Sequence, residues 1–447
     1  MSAGLRILNG TSWIALWTLL AMAAATPSHA QETEPVEENE RLEAVEAKVE
    51  ALTDEVGRLE SIFAVPEEVA LESFSGLGPA ASKVYKRESG LSIGGYGEVR
   101  LRSFHNQDDE DKNDVFDALR AVLYVGYKYN EKWVFNSELE FEHGGTGGGG
   151  SVSTEFLTVD YLHAEELNFR AGLLLIPMGF VNEIHEPTFF FGAERPEVER
   201  RIMPSTWREN GAGIFGTVAE RVHYRLYVVN GFDATGFDRD GLRGGRQKGG
   251  RALSDDFAFV GRVDVDLAAG LLVGGSVYVG QSGQEQQVGN DTVGLFMLPD
   301  MMTHIYEVHA QYKGNGLSLR ALWSEAFVDE AGEFNRIDAT VRDLDAKAAN
   351  LANRMQGWYV EAAYDILPLF RDSQATLEPY FRFEQWDTQD ETPTGITKDL
   401  SQDVDLYVAG VQFKPIPQVV FKVDYRHFDQ RDGHRANEVQ AMVGYVF

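Results

Sequence analysis

The chain has no cysteine among its 447 residues. A disulfide framework and a thiolate metal site are therefore both excluded. Positive charge is in the minority: 40 Lys and Arg stand against 70 Asp and Glu, for a formal net charge of −30. That balance repels a phosphate backbone, so no nucleic-acid partner is expected. Long apolar runs are also missing, and past residue 30 no stretch reaches the roughly 18 apolar residues of a spanning helix. Catalytic signatures are scarce. Gly144–Ser151 is glycine-rich but lacks the Gly-Lys-Ser/Thr ending of a phosphate cradle, and His185-Glu186 lacks the second histidine of a zincin helix. There is no Gly-x-Ser-x-Gly elbow, and the 10 histidines show no metal spacing. No enzymatic activity, cofactor or metal is expected.

What is present begins with an export signal. Arg6 supplies a positive start, Trp13–Ala25 a short apolar run, and Ser28-His29-Ala30 a small-x-small cleavage site. Residues 1–30 are read as a signal peptide. Arg6 is the one charged side chain that cleavage removes, which leaves a formal charge of −31. Residues 31–63 carry Leu42, Val45, Val49, Leu52, Val56, Leu59 and Phe63 at alternating spacings of three and four, with charged residues between them. That is an a/d seam and predicts a short parallel coiled coil in the periplasm. A single amphipathic helix would show a similar stripe. Residues 64–90 hold Pro66, Gly76, Gly78, Pro79 and Gly90 without a sustained period. They read as a linker, part of which could plug or line the periplasmic mouth of a barrel formed by the rest of the chain.

From 91 to 447 the period changes to two. Sixteen strands are expected, at 91–103, 115–129, 133–143, 152–162, 167–177, 207–217, 221–230, 257–267, 271–280, 304–313, 317–327, 355–364, 375–386, 403–414, 419–428 and 438–447. Val419, Phe421, Val423 and Tyr425 alternate with Lys422, Asp424 and Arg426, and Trp133, Phe135, Leu139 and Phe141 oppose Asn136, Glu138, Glu140 and Glu142. Every second connection is short, and those between are long. Mean hydropathy is only −0.27, as it is for a barrel that shows apolar side chains at alternate positions to lipid. Aromatics gather near both strand ends: Tyr127, Tyr129, Trp133, Tyr312, Tyr364, Phe413 and Phe447 at one, Phe141, Trp323, Phe383 and Tyr425 at the other. The last strand ends on Tyr445 and Phe447, a terminal aromatic pair on one face that suits recognition by barrel assembly machinery. The expected fold is all-β: a 16-stranded antiparallel transmembrane β-barrel preceded by a short α-helical coiled coil.

The third long connection is the candidate functional element. Phe189, Phe190 and Phe191 within it cannot face water alone, so it is expected to fold into the barrel. There Glu194, Arg195, Glu197, Glu199, Arg200, Arg201 and Arg208 would form a charged constriction. A loop capping the rim or a subunit contact is the alternative. Inward strand positions mix signs, and the expected pore lining includes Arg100, Arg102, Glu138, Glu140, Glu142, Arg170, Arg225, Arg262, Arg320 and Arg382. Arginines facing Glu138, Glu140 and Glu142 would set up a transverse field, and the acidic chain would favour cations modestly. In the sixth long loop, Phe334, Ile337, Val341, Leu344, Ala348, Leu351 and Met355 predict a helix.

Several tracts carry a family resemblance. Gly90–Glu98, Gly172–Phe180, Leu377–Glu384 and Lys414–His427 together resemble bacterial porins of the phosphate-selective porin O and P superfamily, over residues 88–447. The resemblance implies a trimeric sixteen-stranded barrel with a constricting third loop. Phosphate selectivity does not carry over, because the inward positions here mix signs and hold few lysines. The N-terminal coil resembles the extra segments of some sugar porins. The function expected is passive diffusion of small hydrophilic solutes through an outer-membrane channel. Its expected partners are outer-membrane lipid, the barrel assembly machinery and two further copies of the chain. An envelope tether and a barrel-embedded hydrolase are the alternatives.

Overall fold

The computed structural model describes residues 35–63, 71–105, 112–341, 349–371, 373–433 and 435–447. The expected signal peptide, 1–30, lies outside them. The chain divides into two compact units, the second beginning at Glu67. In the first, Pro35–Phe63 form one α-helix of 29 residues (α1). Val45, Val49, Leu52 and Val56 of the expected seam are all more than half exposed on it.

The second unit is a closed barrel. Its strands in chain order are β1 (Gly90–His105), β2 (Val115–Lys128), β3 (Trp133–Glu142), β4 (Ser151–Ala164), β5 (Leu167–Leu175), β6 (Arg208–Val218), β7 (Val222–Asn230), β8 (Phe257–Ala268) and β9 (Leu271–Gln281). After a small hairpin of β10 (Gln287–Asn290) and β11 (Gly294–Met297) come β12 (Met302–Gly314), β13 (Leu317–Val328), β14 (Arg354–Tyr364), β15 (Thr376–Glu391), β16 (Asp403–Ile416), β17 (Val419–Gln430) and β18 (Asn437–Val446). All but the hairpin join one antiparallel ring that closes where β1 pairs with β18. The last residue completes the seam: the Phe447 amide donates to the Gly95 carbonyl at 2.9 Å, and the Gly95 amide to the Phe447 carbonyl at 3.0 Å.

All sixteen expected strands are present. The largest boundary difference is β15, which continues to Glu391 rather than ending near 386. The hairpin β10–β11 in the fifth long loop was not expected, being two four-residue strands too short to show a period. Part of the expected linker is also folded. Pro79–Ser82 form a helical turn (α2) that continues as a 3₁₀ turn over Lys83–Lys86. In the sixth loop the helix (α4) covers Ala331–Val341, the part of the expected stripe that carries Phe334, Ile337 and Val341. Its Phe334 and Ile337 are buried, while Met355, expected on the same stripe, belongs to β14. Residues 342–348, with Leu344 and Ala348, lie outside the described residues.

The barrel is apolar outside and polar inside, the reverse of a soluble domain. Along β3, Val134, Asn136, Glu138 and Glu140 are buried towards the lumen, whereas Trp133 and Phe141 stand outside at 46% and 42% exposure. The outward row continues through Val159, Val228, Val263, Val308, Val360, Val411 and Val423, each more than 40% exposed. So large an apolar band is stable only against lipid or another apolar surface. Inward charged side chains pair across the lumen face, as Arg170 does with Asp160 and Arg382 with Glu384. One apolar cluster joins the third loop (Ile176, Met178, Val198, Ile202, Trp207) to Phe232, Leu242, Met301, Phe334 and Leu351 of the later loops.

Candidate functional site

The third loop connects Leu175 to Arg208 and carries a short helix, α3 (Glu197–Arg201). It runs inside the barrel. Its stretch 188–192 has no regular structure, so its carbonyl groups need partners away from water. Inward basic side chains of β13, β15, β16 and β17 supply them. The Thr188 carbonyl accepts from Lys414 Nζ at 2.9 Å, Phe189 from Arg320 at 2.9 Å and Phe191 from Arg382 at 2.9 Å. Lys422 Nζ serves both Phe190, at 2.5 Å, and Gly192, at 2.9 Å. Charge-assisted bonds of this kind are about twice as strong as neutral ones. The same cations cover the phenylalanine rings: Lys422 lies 3.9 Å from the Phe190 centroid and Arg320 4.7 Å from that of Phe189. Two of the three phenylalanines that required the loop to pack inward therefore meet guanidinium and ammonium groups, and the third, Phe191, packs 5.6 Å from the Tyr380 ring.

Carboxylates fix the other half of the loop. Glu199, expected at the constriction, is fully buried and turned into the scaffold: it accepts from the Val181 amide at 2.8 Å and from the Tyr359 hydroxyl at 2.7 Å. Glu384 accepts from the Val198 amide at 3.0 Å, and Asp424 from the Ala193 amide at 2.6 Å. Glu197 takes Arg426 at 3.0 Å and both Arg200 and Arg201 at 3.3 Å.

Between this half of the loop and the β1–β2 wall is a polar cavity of about 220 Å³. The loop gives it Glu194, Arg195, Glu197 and Arg200; the wall gives Glu98, Arg100, Arg102, Arg120 and Glu142; Arg243, Arg426 and Arg435 close it. Eight arginines thus face four glutamates; Glu140 and Glu438, behind the lining, pair with Arg120 and Arg426 and leave a surplus of two positive charges. Some are paired: Arg100 with Glu194, and Arg120 with Glu98 at 3.0 Å and Glu140 at 3.3 Å. Arg243 is not so served. Its Nη1 is buried without a hydrogen-bond partner among the described residues. Burial, together with Arg246, Arg200 and Arg195 nearby, pushes its guanidinium down from the usual arginine range. A guanidinium keeps its proton at neutral pH, so this crowding favours an anion.

The expected site residues divide accordingly. Arg195, Arg200, Glu194, Glu197, Arg100, Arg102 and Glu142 meet at the cavity. Arg201 packs over the Trp386 ring at 5.8 Å, and Arg208 pairs with Glu155 at 2.7 Å; neither lines the cavity. Glu138 meets His185 of the loop at 3.1 Å. Arg170 pairs with Asp160 at 2.8 Å, and Arg225 and Arg262 converge on Asp264 at 2.6 and 2.8 Å. Arg320 and Arg382 hold loop carbonyls, as above. These five face inward, but their donors are committed to scaffold contacts. Four arginines of the cavity were not among the expected residues. Arg120 and Arg426 were accessible as inward positions of alternating strands; Arg243 and Arg435 come from irregular loops and carry no periodic signal. Among the described residues no cluster of His, Asp and Glu has the geometry of a metal site.

A protein of Aquifex aeolicus described as uncharacterized is 36% identical over 397 residues, spanning 87% of this chain and 86% of its own. The chain belongs to the family of that protein. No family model matches. Among solved structures, OmpF of Salmonella typhi in complex with daunomycin aligns with 80% of the chain and 98% of its own at a TM-score of 0.53 and 14% identity. A loop-deletion mutant of OmpT, an outer membrane protein of Vibrio cholerae, covers 81% of the chain and 100% of its own at 0.51 and 14%. An anion-selective porin from Comamonas acidovorans covers 80% and 100% at 0.50 and 12%. At these identities the likeness is one of fold: this family has a porin-like sixteen-stranded barrel.

Proposed function

We propose that this chain is a bacterial outer-membrane porin that lets small hydrophilic solutes diffuse passively, with the third loop as its constriction. The observation that carries the reading is the seating of that loop: its carbonyls are held by β13 and β15–β17, and its charged edge borders a polar cavity against β1 and β2. The reading keeps the long loops outside the cell and α1 in the periplasm. It takes lipid around the outward apolar band and a homotrimer joined through the α1 seam. Tyr445 and Phe447 are the assembly signal.

The cavity's charge surplus favours anions. This reverses the modest cation preference that the whole-chain charge leads one to expect. Within a narrow passage the nearest charges act over a few ångströms, while charges more than about 8–10 Å away are screened at ordinary salt. The wall and loop glutamates already paired with arginine leave the surplus centred on Arg243, while Arg200 shares Glu197 with Arg201 and Arg426. Conductance and reversal potential of the purified protein in a planar bilayer test the reading. A silent barrel would instead favour an envelope tether.

A further inference from the structure

The cavity has an inward-pointing floor. Along β1 the lumen positions run from Glu98 through Tyr96 to Gly94, and along β2 from Arg120 through Val122 and Tyr124 to Gly126, towards the end that carries the short turns. Glu98 and Arg120 border the cavity. The next residues, Tyr96, Val122 and Tyr124, are buried in one apolar cluster with Leu77, Ala80, Val84 and Phe156. Leu77, Ala80 and Val84 belong to the segment around α2, which therefore fills the lumen directly below the cavity. Two glycines make the room. A Cβ at Gly94 would meet the Ala80 carbonyl oxygen at 2.8 Å, and one at Gly126 would meet Val84 Cβ at 2.8 Å.

The segment is held by two kinds of contact. To the wall, Asn136 donates to the Ala81 carbonyl at 2.8 Å, and the Tyr85 hydroxyl donates to Asp160 at 2.7 Å. To the third loop, the Ala80 amide donates to the Glu186 carboxylate at 2.9 Å. The second Glu186 oxygen is buried with no partner among the described residues. The same carboxylate lies against Gly78, whose missing Cβ makes room for it, so Glu186 joins the segment to the third loop. Those elements are far apart in the chain, and each contributes to narrowing the same passage.

Resting on the porin reading above, we propose that residues 77–86 are a displaceable plug, latched by Glu186 to the constricting loop. In the latched state the passage below the cavity is closed on the β1–β2 side. Release of the Glu186–Ala80 contact uncouples the plug from the third loop, and displacement then requires only that its wall contacts, Asn136–Ala81 and Tyr85–Asp160, give way.

The absence of native cysteine permits a reversible lock. Val84→Cys with Gly126→Cys in the full-length protein places the two Cβ atoms within about 1 Å of the ~3.8 Å separation of a disulfide. Single-channel current is recorded on the folded, heat-modifiable protein under oxidising and then reducing conditions. The proposal expects the oxidised form to stay at a low conductance level and reduction to restore several-fold larger openings. Glu186→Ala, without the cysteines, is expected to spend more time at the larger level than the native chain. Equal, non-zero conductance in the oxidised, reduced and Glu186→Ala proteins overturns the plug and leaves the porin reading standing. Silence in all of them overturns the porin reading and the plug with it.

Discussion

Arg200 and Arg201 are adjacent in the chain and have different surroundings. Both reach Glu197, but Arg200 is half exposed at the cavity while Arg201 is mostly covered and lies over Trp386. Removing a unit charge about 4 Å from a passing ion changes its energy by about 1 kcal/mol even in bulk water, roughly a fivefold change in local concentration. Arg200→Ala is therefore expected to move the reversal potential towards the cation side by up to that factor in permeability ratio, and to raise conductance. Arg201→Ala is expected to leave selectivity near native and to lower stability through lost packing. Equal effects of the two on reversal potential would contradict the placement of the cavity. Residue types at the site were only partly legible. Arginine at inward positions of β1, β2 and β17 follows from alternation, but alternation does not say whether a guanidinium faces solute or holds a carbonyl. Arg320 and Arg382 hold carbonyls because the loop that needs them is over a hundred residues away in the chain. Glu199 was unreadable for the same reason: its partners Val181 and Tyr359 come from different elements.

At the scale of the element, β18 shows how much of the barrel depends on its last residue. Phe447 exchanges two backbone hydrogen bonds with Gly95, which fastens the closing pair, and its ring lies over Gly95 on the outer face. Deleting Phe447 leaves the Gly95 amide and carbonyl without those partners. The expected outcome is loss of most heat-modifiable barrel with export intact, read by the mobility of unheated membrane samples; native levels of folded barrel would contradict it. The strands were legible because two signals agree throughout: a period of two, and alternating short and long connections. The inward course of the third loop was legible from Phe189–Phe191. Residues 77–86 were legible only as a stretch that could plug or line the periplasmic mouth, because their seat, the hollow left by Gly94 and Gly126, is supplied by distant strands. The hairpin β10–β11 was not legible, being two four-residue strands.

At the scale of the whole molecule, two charge patterns compete. The chain carries a net −30, whereas its polar cavity carries a surplus of arginine. Assembly adds a second question. On α1, Val45, Val49, Leu52 and Val56 are all exposed in the single chain, and a two-in-seven seam is buried by pairing with identical helices. Three copies are expected, so native mass measurement in mild detergent should give a trimer, with Leu52→Asp weakening it; a monomer alone would contradict the expectation. The measurement that tests the central claim most directly is the reversal potential of the native protein in a planar bilayer under a salt gradient. The predicted result is discrete channel openings whose current reverses on the anion side, with the preference fading as salt rises and shortens the screening length. Absence of openings, or a clear cation preference at moderate salt, would contradict it.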